Sequence, residues 1–406
     1  MEAATIDFIP GGTVTSPQGF YAGATYAGLK KKAEHSLDMG ILFSKAPCVT
    51  AGLLTNSRIK SAPVVLCQER LQRGRALAVV VNSGGANAYT GEQGLADAAE
   101  MAALAAEGIG ILSEDVLVAS TGVTGQPLPM ELIRAGISQI ILAQDGGHDL
   151  AKAIMTTDTV PKETAVAARV GGNEFNIGGV AKGSGMIHPD LATMFCFLTT
   201  DAAVELDFLR SALRQAVDVS FNMISVDGDT SPSDMVLIMA NGLAGNEPIS
   251  TDSRQADTFQ RALDQICIHL ARAIARDGEG AAKLIEVTVN GAISVAEARL
   301  AARTVVSSPL VKTAVHGSDP NWGRIFAAVG RSGAEVVESK IDLYLGDVGV
   351  VKGGRPLPFN EQSVVQVLKQ SEVPIRLHLN LGTASATAWG CDLSEEYVAI
   401  NSLYMT

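Results

Sequence analysis

Strand-like and helix-like segments alternate along this chain with no clear linker between them, and this alternation constrains the fold more than any other feature. Short apolar runs predict strands at Ala76–Val81, Val116–Ala119, Met194–Leu198 and Val236–Ala240. Helical spacing of apolar residues predicts helices over Glu92–Glu107, Leu206–Val219 and Ser253–Arg276, and another that starts near Pro129. Thr90 is predicted to be the N-cap of the first of these helices. The pattern indicates a mixed α/β protein and leaves the order of the strands open.

Further β-rich segments lie towards the C-terminus. Leu284–Val289 is followed by Asn290-Gly291, a dipeptide typical of hairpin turns. Arg376–Leu381 and Tyr397–Leu403 also have the composition of strands. We therefore expect a hairpin after Val289 and a strand close to the C-terminal end.

Length and composition indicate a globular protein with a large core. At 406 residues the chain exceeds the usual limit of one core, so two domains or one large layered domain is expected. Hydrophobic residues make up 47% of the chain and charged residues 18%, which argues against disorder. The longest apolar runs have strand length, and the N-terminus lacks the basic-then-apolar pattern of a signal peptide. We therefore expect a cytoplasmic protein that does not act at a membrane.

The formal net charge is −12, and the only basic cluster is Lys30-Lys31-Lys32, which we interpret as a solvated surface turn. An acidic chain of this kind is a poor candidate for binding the phosphate backbone of a nucleic acid. The charge is compatible with a small zwitterionic or cationic substrate.

The cysteines and histidines do not have the spacing of metal ligands. The five cysteines contain no C-x-x-C pair, so they are interpreted as free buried thiols; they are Cys48, Cys67, Cys196, Cys267 and Cys391. No H-E-x-x-H or similar pattern occurs among the histidines, and the lone His188 has a structural role in the simplest interpretation. We therefore predict no metal site and no metal catalysis.

A Gly-rich loop with one lysine, Lys182 to Ala192, leads into Thr193 and an apolar run. A threonine hydroxyl is a weak nucleophile unless a base lies beside it, and the smallest such base is the α-amine of the same residue. That arrangement exists only after cleavage of the Ala192–Thr193 bond. Two interpretations stay open from these residues alone: Thr193 is a nucleophile created by self-cleavage, or it is an ordinary strand residue after a glycine turn.

Two other turns carry groups that could take part in catalysis. Asn82-Ser83-Gly84-Gly85 lies between a strand and a helix but does not fit the patterns of dinucleotide or nucleoside triphosphate sites. Ser120-Thr121-Gly122 lies in a similar turn, where a hydroxyl and backbone amides can face a developing oxyanion. The alternative is a tight connection with no catalytic role.

Taken together, eight ordered motifs closely resemble the ornithine acetyltransferase family, which comprises bifunctional glutamate N-acetyltransferases of arginine biosynthesis. The motifs cover essentially the whole chain: Asn82–Gly91, Ser120–Gly125, Met155–Thr159, Ala181–Met194, Ser225–Ser231, Asp277–Ala281, Asp319–Arg324 and Cys391–Thr406. The resemblance implies an α/β fold of layered helices and sheets, related to self-processing aminopeptidases of the N-terminal-nucleophile type. It also implies an α2β2 assembly.

The resemblance implies a role for individual residues. Thr193 matches the nucleophile, and autocatalytic cleavage of Ala192–Thr193 would give an α chain of residues 1–192 and a β chain of residues 193–406. Thr121 and Gly122 match the pair that forms the oxyanion hole. The positions that match the family's substrate-binding residues are Thr156 or its neighbour Thr157, Lys182, Thr193, Glu279, Asn401 and Thr406.

The implied reaction is transfer of an acetyl group from N-acetylornithine to glutamate through acetyl-Thr193, with no cofactor and with acetyl-CoA as a conceivable further donor. A self-processing amidase or aminopeptidase, which would pass the acyl group to water, is the alternative. The chain departs from the common family pattern at Gly85, Tyr89, Met223, Ser225 and Gly390, none of which matches a catalytic position. These departures bear on substrate breadth more than on reaction class.

Overall fold

The computed structural model of the protein describes residues 4–30, 36–188 and 194–403. Within these ranges the strands are β1 Thr5–Phe8, β2 Phe20–Thr25, β3 Met39–Ser44, β4 Val49–Leu54, β5 Ala78–Asn82, β6 Val116–Ser120, β7 Lys162–Val170, β8 Asn173–Lys182, β9 Phe195–Thr200, β10 Ile224–Ser225, β11 Met235–Ala240, β12 Leu284–Ala292, β13 Asp342–Leu345, β14 Val348–Lys352, β15 Arg355–Pro356, β16 Glu372–His378 and β17 Ala384–Cys391. The helices are α1 Ala62–Arg70, α2 Gly91–Ile109, α3 Met130–Ile137, α4 Gly147–Ala153, α5 Leu206–Asp218, α6 Ala256–Arg276, α7 Val295–Val306, α8 Pro309–Gly317, α9 Gly323–Gly330, α10 Glu361–Leu368 and α11 Glu395–Leu403.

The strands form three sheets in the described part of the chain. A four-stranded sheet has the order β2-β3-β5-β6, and a six-stranded sheet has the order β1-β7-β8-β9-β11-β4. A seven-stranded sheet has the order β10-β17-β12-β16-β13-β14-β15. The six-stranded sheet contains strands from both sides of residue 193, whereas each of the other sheets comes from one side only.

The sheets and helices stack in layers around apolar side chains. Alternate residues of a strand face opposite sides of a sheet, so Val79 and Val81 of β5 face the six-stranded sheet, including Phe197, while Val80 faces α2 and α3. The other face of the six-stranded sheet packs against α5 and α6, and α6 together with α7 covers the seven-stranded sheet. Strands covered on both faces are rich in apolar residues, which explains the run Phe195–Leu198 in the fully buried strand β9. The mixed, layered α/β prediction is confirmed.

Most of the sequence-predicted elements are present with small shifts at their ends. The predicted strands correspond to β5, β6, β9 and β11, and the predicted helices to α2, α3, α5 and α6. Thr90 does occupy the N-cap position of α2, but its hydroxyl donates to Asn87 Oδ1 and makes no capping bond. All five cysteines are buried and free, as expected. None of the described helices has both the length and the apolar character needed to cross a bilayer.

The hairpin predicted at Asn290-Gly291 is wrong. β12 runs through this dipeptide to Ala292, and its register against β17 shifts between Val289 and Ala292. Gly291 has a φ of 70°, and its carbonyl accepts the N–H groups of Leu381 and Gly382. A glycine with positive φ therefore makes a bulge in a continuing strand at this point.

The strand predicted at Tyr397–Leu403 is also wrong, because these residues belong to helix α11. The Ser394 hydroxyl accepts the N–H of Tyr397 at 3.3 Å, which is a capping interaction, and Glu395 and Glu396 lie in the first turn. A cap and acidic residues at the N-terminus of a helix favour helix over the β preference of Tyr397 and Val398.

The solvated turn predicted at Lys30–Lys32 can be compared with the structure only at Lys30, because Lys31 and Lys32 lie outside the described residues. At Lys30 the prediction is wrong. Lys30 is half-buried and its ammonium donates to the Leu37 carbonyl at 2.9 Å. Burial lowers the pKa of Lys30 to about 8.

Candidate active site

Lys182 lies where three candidate segments meet. It ends β8 and pairs with Phe195, the first residue of β9. Lys182 is only 3% exposed, and its ammonium donates to Thr156 Oγ1 at 2.8 Å and to Thr121 Oγ1 at 3.4 Å. The structure therefore brings together two sequence-predicted substrate-binding residues and the hydroxyl predicted for the oxyanion hole.

The predicted oxyanion pair lies directly after β6, in a turn that packs against the Asn82 loop. The N–H of Thr121 donates to the Asn82 carbonyl at 3.0 Å. Gly122 has a φ of 118°, and a Cβ there would lie 2.8 Å from the Gly84 carbonyl carbon and 2.9 Å from the Gly85 nitrogen. Both the backbone conformation and the close approach therefore require glycine at position 122.

Glu279 and Asn401 form a second part of the candidate site. The Asn401 amide donates to Glu279 Oε2 at 2.8 Å, and the Glu279 N–H donates to the Ser184 carbonyl at 2.8 Å. A Cβ at Gly185 would lie 2.4 Å from the Glu279 carboxyl carbon. Of the two glycines in this Gly-rich loop, Gly183 has a positive φ of 149°, whereas Gly185 leaves room for Glu279.

Buried charges that the sequence analysis did not single out lie beneath these residues. The Lys162 ammonium contacts Asp158 Oδ1 and Asp277 Oδ2, each at 2.6 Å. Asp158 Oδ1 also accepts the N–H of Gly183 at 2.7 Å. Asp158 and Asp277 lie in motifs used for the family resemblance, but nothing in the sequence marked Lys162.

The pKa values of Asp158 and Lys182 are both lowered, but for different reasons. Burial alone would raise the pKa of Asp158, but the ammonium groups of Lys182 and Lys162 and the Gly183 N–H lower it to about 2. Burial lowers the pKa of Lys182 and the Lys162 charge lowers it further, whereas Asp158 opposes the shift. Asp158 therefore stays ionised and acts as a counter-charge for Lys182.

A further buried carboxyl group, that of Asp234, lies at the start of β9. Asp234 Oδ1 accepts the Met194 N–H at 2.9 Å, and Asp234 is fully buried. Burial raises its pKa well above the usual value. The sequence analysis missed Asp234; the signal was its position just before the apolar strand β11.

Asp227 holds the backbone of the Gly-rich loop at Met186 and Ile187. Its carboxylate accepts the N–H groups of Met186 at 2.6 Å and Ile187 at 3.0 Å, and the Tyr397 hydroxyl donates to it at 3.3 Å. His188 Nδ1 lies 3.1 Å from the Ser225 hydroxyl, which gives Ser225, one of the departures from the family pattern, a structural contact.

The remaining predicted site residues fall in two groups. Thr156 contacts Lys182, while Thr157 lies 2.6 Å from Ser184, with the two hydroxyl oxygens in hydrogen-bond contact. Ala192, Thr193 and Thr406 lie outside the described residues. The described part of the site thus contains the Thr121-Gly122 turn, the buried Lys182 ammonium and the Glu279 carboxylate.

Comparison with known proteins identifies the family. The sequence profile described as the ArgJ family matches residues 21–406. The arginine biosynthesis bifunctional protein ArgJ of Dehalococcoides mccartyi is 51% identical over 403 residues, which cover 99% of this chain and 100% of that protein. The protein of the same name from Symbiobacterium thermophilum is 53% identical, with the same coverage of 99% and 100%. The crystal structure of ArgJ from Bacillus halodurans is 44% identical with a TM-score of 0.50, over 52% of this chain and 98% of that chain. The chain therefore belongs to the ArgJ family, and it is an acyltransferase of arginine biosynthesis.

Proposed function

We propose that this protein transfers the acetyl group of N2-acetyl-L-ornithine to L-glutamate, giving L-ornithine and N-acetyl-L-glutamate. The contact that carries the proposal is that of the Lys182 ammonium with the Thr121 hydroxyl at 3.4 Å, beside the first residue of β9. An acyl-transfer site needs hydrogen-bond donors where negative charge develops and a cation that can bind a substrate carboxylate. These groups lie next to the strand that follows the candidate nucleophile.

The nucleophile in this proposal is Thr193, released by autocatalytic cleavage of the Ala192–Thr193 bond. The α chain, residues 1–192, would contain β1, β7, β8 and β4 of the six-stranded sheet, and the β chain, residues 193–406, would contain β9 and β11. Because β9 is hydrogen-bonded between β8 and β11, the two chains would stay associated after cleavage. We further propose that two such pairs assemble as α2β2 in the cytoplasm.

The chemistry proceeds in two half-reactions. The Thr193 α-amine accepts the hydroxyl proton as Oγ1 attacks the acetyl carbonyl carbon, and the Thr121 hydroxyl and Gly122 amide stabilise the oxyanion. The C–N bond breaks, ornithine leaves with the proton on its amine, and the acetyl ester of Thr193 remains. The glutamate amine then attacks the ester carbonyl, and the Thr193 hydroxyl is restored as N-acetylglutamate leaves.

N-acetylornithine and glutamate both carry an α-carboxylate, and the site contains polar groups that could bind it. Lys182 is proposed to bind a substrate carboxylate with the help of Thr156. Glu279, held by Asn401, is proposed to bind the cationic amine, and Thr406 to add a contact from the C-terminus. No cofactor is needed for these steps.

The first test of the proposal is N-terminal sequencing of the purified protein under denaturing conditions. We expect two chains, one of which begins Thr193-Met194-Phe195, and a single uncut chain for Thr193→Ala. An intact wild-type chain that has full activity would refute the nucleophile assignment.

The second test separates transfer from hydrolysis. Purified enzyme is incubated with N-acetylornithine and glutamate, and N-acetylglutamate and free acetate are measured together. Transfer predicts N-acetylglutamate in proportion to ornithine released, with ping-pong kinetics, whereas an amidase would release acetate without regard to glutamate. Because the relatives are named bifunctional, the assay is repeated with acetyl-CoA as the donor.

A further inference from the structure

A buried ammonium joins two loops that approach the candidate site from different parts of the chain. The Lys162 side chain is fully buried, and its Nζ lies 2.6 Å from both Asp158 Oδ1 and Asp277 Oδ2. Asp158 precedes β7, whereas Asp277 follows α6, 119 residues later in numbering (277 − 158). The bridge therefore joins two segments that are far apart in the sequence, and the hydrogen bonds of Thr159 to Asp277 add to this connection.

Each carboxylate of the bridge also fixes a backbone group of the loop that contains Asp158, and Asp158 fixes Gly183, just after β8, as well. Asp158 accepts the N–H of Gly183 at 2.7 Å and that of Thr156 at 3.0 Å. Asp277 accepts the N–H of Thr159 at 3.0 Å and also the Thr159 hydroxyl. Hydrogen bonds to ionised carboxylates are strong, so the backbone at these positions follows the position of the carboxylates.

The backbone positions fixed by Asp158 and Asp277 are close in sequence to the side chains of the candidate site. Gly183 follows Lys182, and Thr156 is the hydroxyl partner of the Lys182 ammonium. On the other side, Asp277 is two residues before Glu279, whose N–H donates to the Ser184 carbonyl. Through Asp158 and Asp277, Lys162 thus connects the segment of Lys182 with the segment of Glu279, although its own ion pairs are with the two aspartates.

We propose that Lys162 is a positioning residue: by bridging Asp158 and Asp277, it sets the distance between Lys182 with Thr156 on one side and Glu279 on the other. The inference rests on the proposed function, in which these two groups hold opposite ends of the amino-acid substrate. Without the Lys162 ammonium, Asp277 would lose its cationic partner while it faces the buried Asp158 carboxylate, and the two carboxylates would separate. The loops that carry Lys182 and Glu279 would move apart with them.

The test compares wild type with Lys162→Met, which keeps most of the unbranched side chain, lacks its terminal ammonium and therefore removes its charge. We expect KM to rise roughly tenfold for both N-acetylornithine and glutamate, and kcat/KM to fall about 10²-fold, because small misplacement of binding groups costs this much. Rates are normalised to the number of sites that form acetyl-enzyme, so that misfolded protein does not count. A KM within twofold of wild type for both substrates would overturn the proposal.

Asp201→Ala is the matched control for loss of a buried charge. Asp201 is fully buried at the far end of β9 and accepts hydrogen bonds from the Gln18 N–H and from the backbone and side chain of Asn176. We expect both variants to lower the thermal unfolding midpoint, but only Lys162→Met to raise KM. If the control raises KM equally, the effect of Lys162 is one of general stability and the positioning role is wrong.

A second variant and a binding measurement complete the test. If Lys162→Met does not fold, Asp277→Asn weakens the same bridge at constant size; an unchanged KM for this variant would equally overturn the proposal. Ornithine affinity, measured by calorimetry on wild type and variant, does not depend on acetyl transfer. A wild type that binds ornithine but transfers no acetyl group would refute the proposed function, while the weaker affinity expected for the variant would still support the positioning role.

Discussion

Asp234 Oδ1 accepts the backbone N–H of Met194 at 2.9 Å, and the Met194 carbonyl accepts the N–H of Met235 at 3.2 Å. The backbone of Met194 is therefore held on both of its polar groups by the strand that begins at Met235. Since residue 193 is joined to Met194 by one peptide bond, the path of the chain on leaving the proposed cleavage site is set by this contact. Burying a carboxyl group costs free energy, so its use at this strand end indicates that the position of the Met194 backbone is important.

Asp234→Ala is expected to slow self-cleavage and to lower stability by roughly 1–3 kcal/mol, because the buried Met194 N–H loses its acceptor. Asp234→Asn keeps one acceptor oxygen and is expected to have a smaller effect on both. The measurements are the cleaved fraction against time on a denaturing gel and the thermal unfolding midpoint. Cleavage of Asp234→Ala at the wild-type rate would show that the contact does not control the cleavage geometry.

The sequence predicted well those elements whose side-chain period is regular. β5 and β6 are short apolar runs, and α6 repeats apolar residues at helical spacing, so each could be recognised within its own window. α11 was predicted as a strand because Tyr397 and Val398 favour strands, and the cap at Ser394 lies outside that window. Sheet order could not be predicted, because β4 pairs with β11 and β1 with β7, strands that lie far apart in the sequence.

The candidate site could be predicted only in part, for a similar reason. Thr121, Lys182 and Glu279 came from motifs, and the structure shows that the first two are in contact. The bridge of Asp158, Lys162 and Asp277 joins residues from distant parts of the sequence, and Lys162 resembles any other lysine in a strand. Its importance becomes visible only when its complete burial and its two carboxylate partners are known.

Thr121→Ala removes the hydroxyl proposed to face the oxyanion, and we expect kcat to fall about 10²–10³-fold. KM is expected to change less, because Lys182 keeps its contact with Thr156 at 2.8 Å. Thr121→Ser retains the hydroxyl and is expected to retain most of the rate. Single-turnover formation of acetyl-enzyme, measured on fully cleaved protein, is the readout; equal rates for the alanine and serine variants would contradict the assignment.

The depressed pKa of Asp158 predicts a stability that depends on acid pH. The folded pKa is about 2 and the ordinary value is 3.8, a difference worth roughly 2 kcal/mol. Because the folded value is the lower one, this stabilisation is complete above about pH 4 and is lost as the pH falls towards 2. We expect the unfolding midpoint of wild type to fall more steeply below pH 4 than that of Asp158→Asn, each measured against its own value at pH 5. Parallel curves would show that Asp158 is not the group responsible.

Gly185→Ala tests the contact between the glycine loop and Glu279. The added Cβ would lie 2.4 Å from the Glu279 carboxyl carbon and 2.5 Å from each of its oxygens, so the carboxylate has to move. Loss of a charged hydrogen bond of roughly 1.5–3 kcal/mol corresponds to a rise in KM of about ten- to a hundredfold. Gly108→Ala is the control, because its Cβ meets no atom within 4 Å near the exposed end of α2, and it is expected to leave KM unchanged. If Gly185→Ala has the KM of the control while a crystal structure shows Glu279 displaced, Glu279 does not bind the substrate amine.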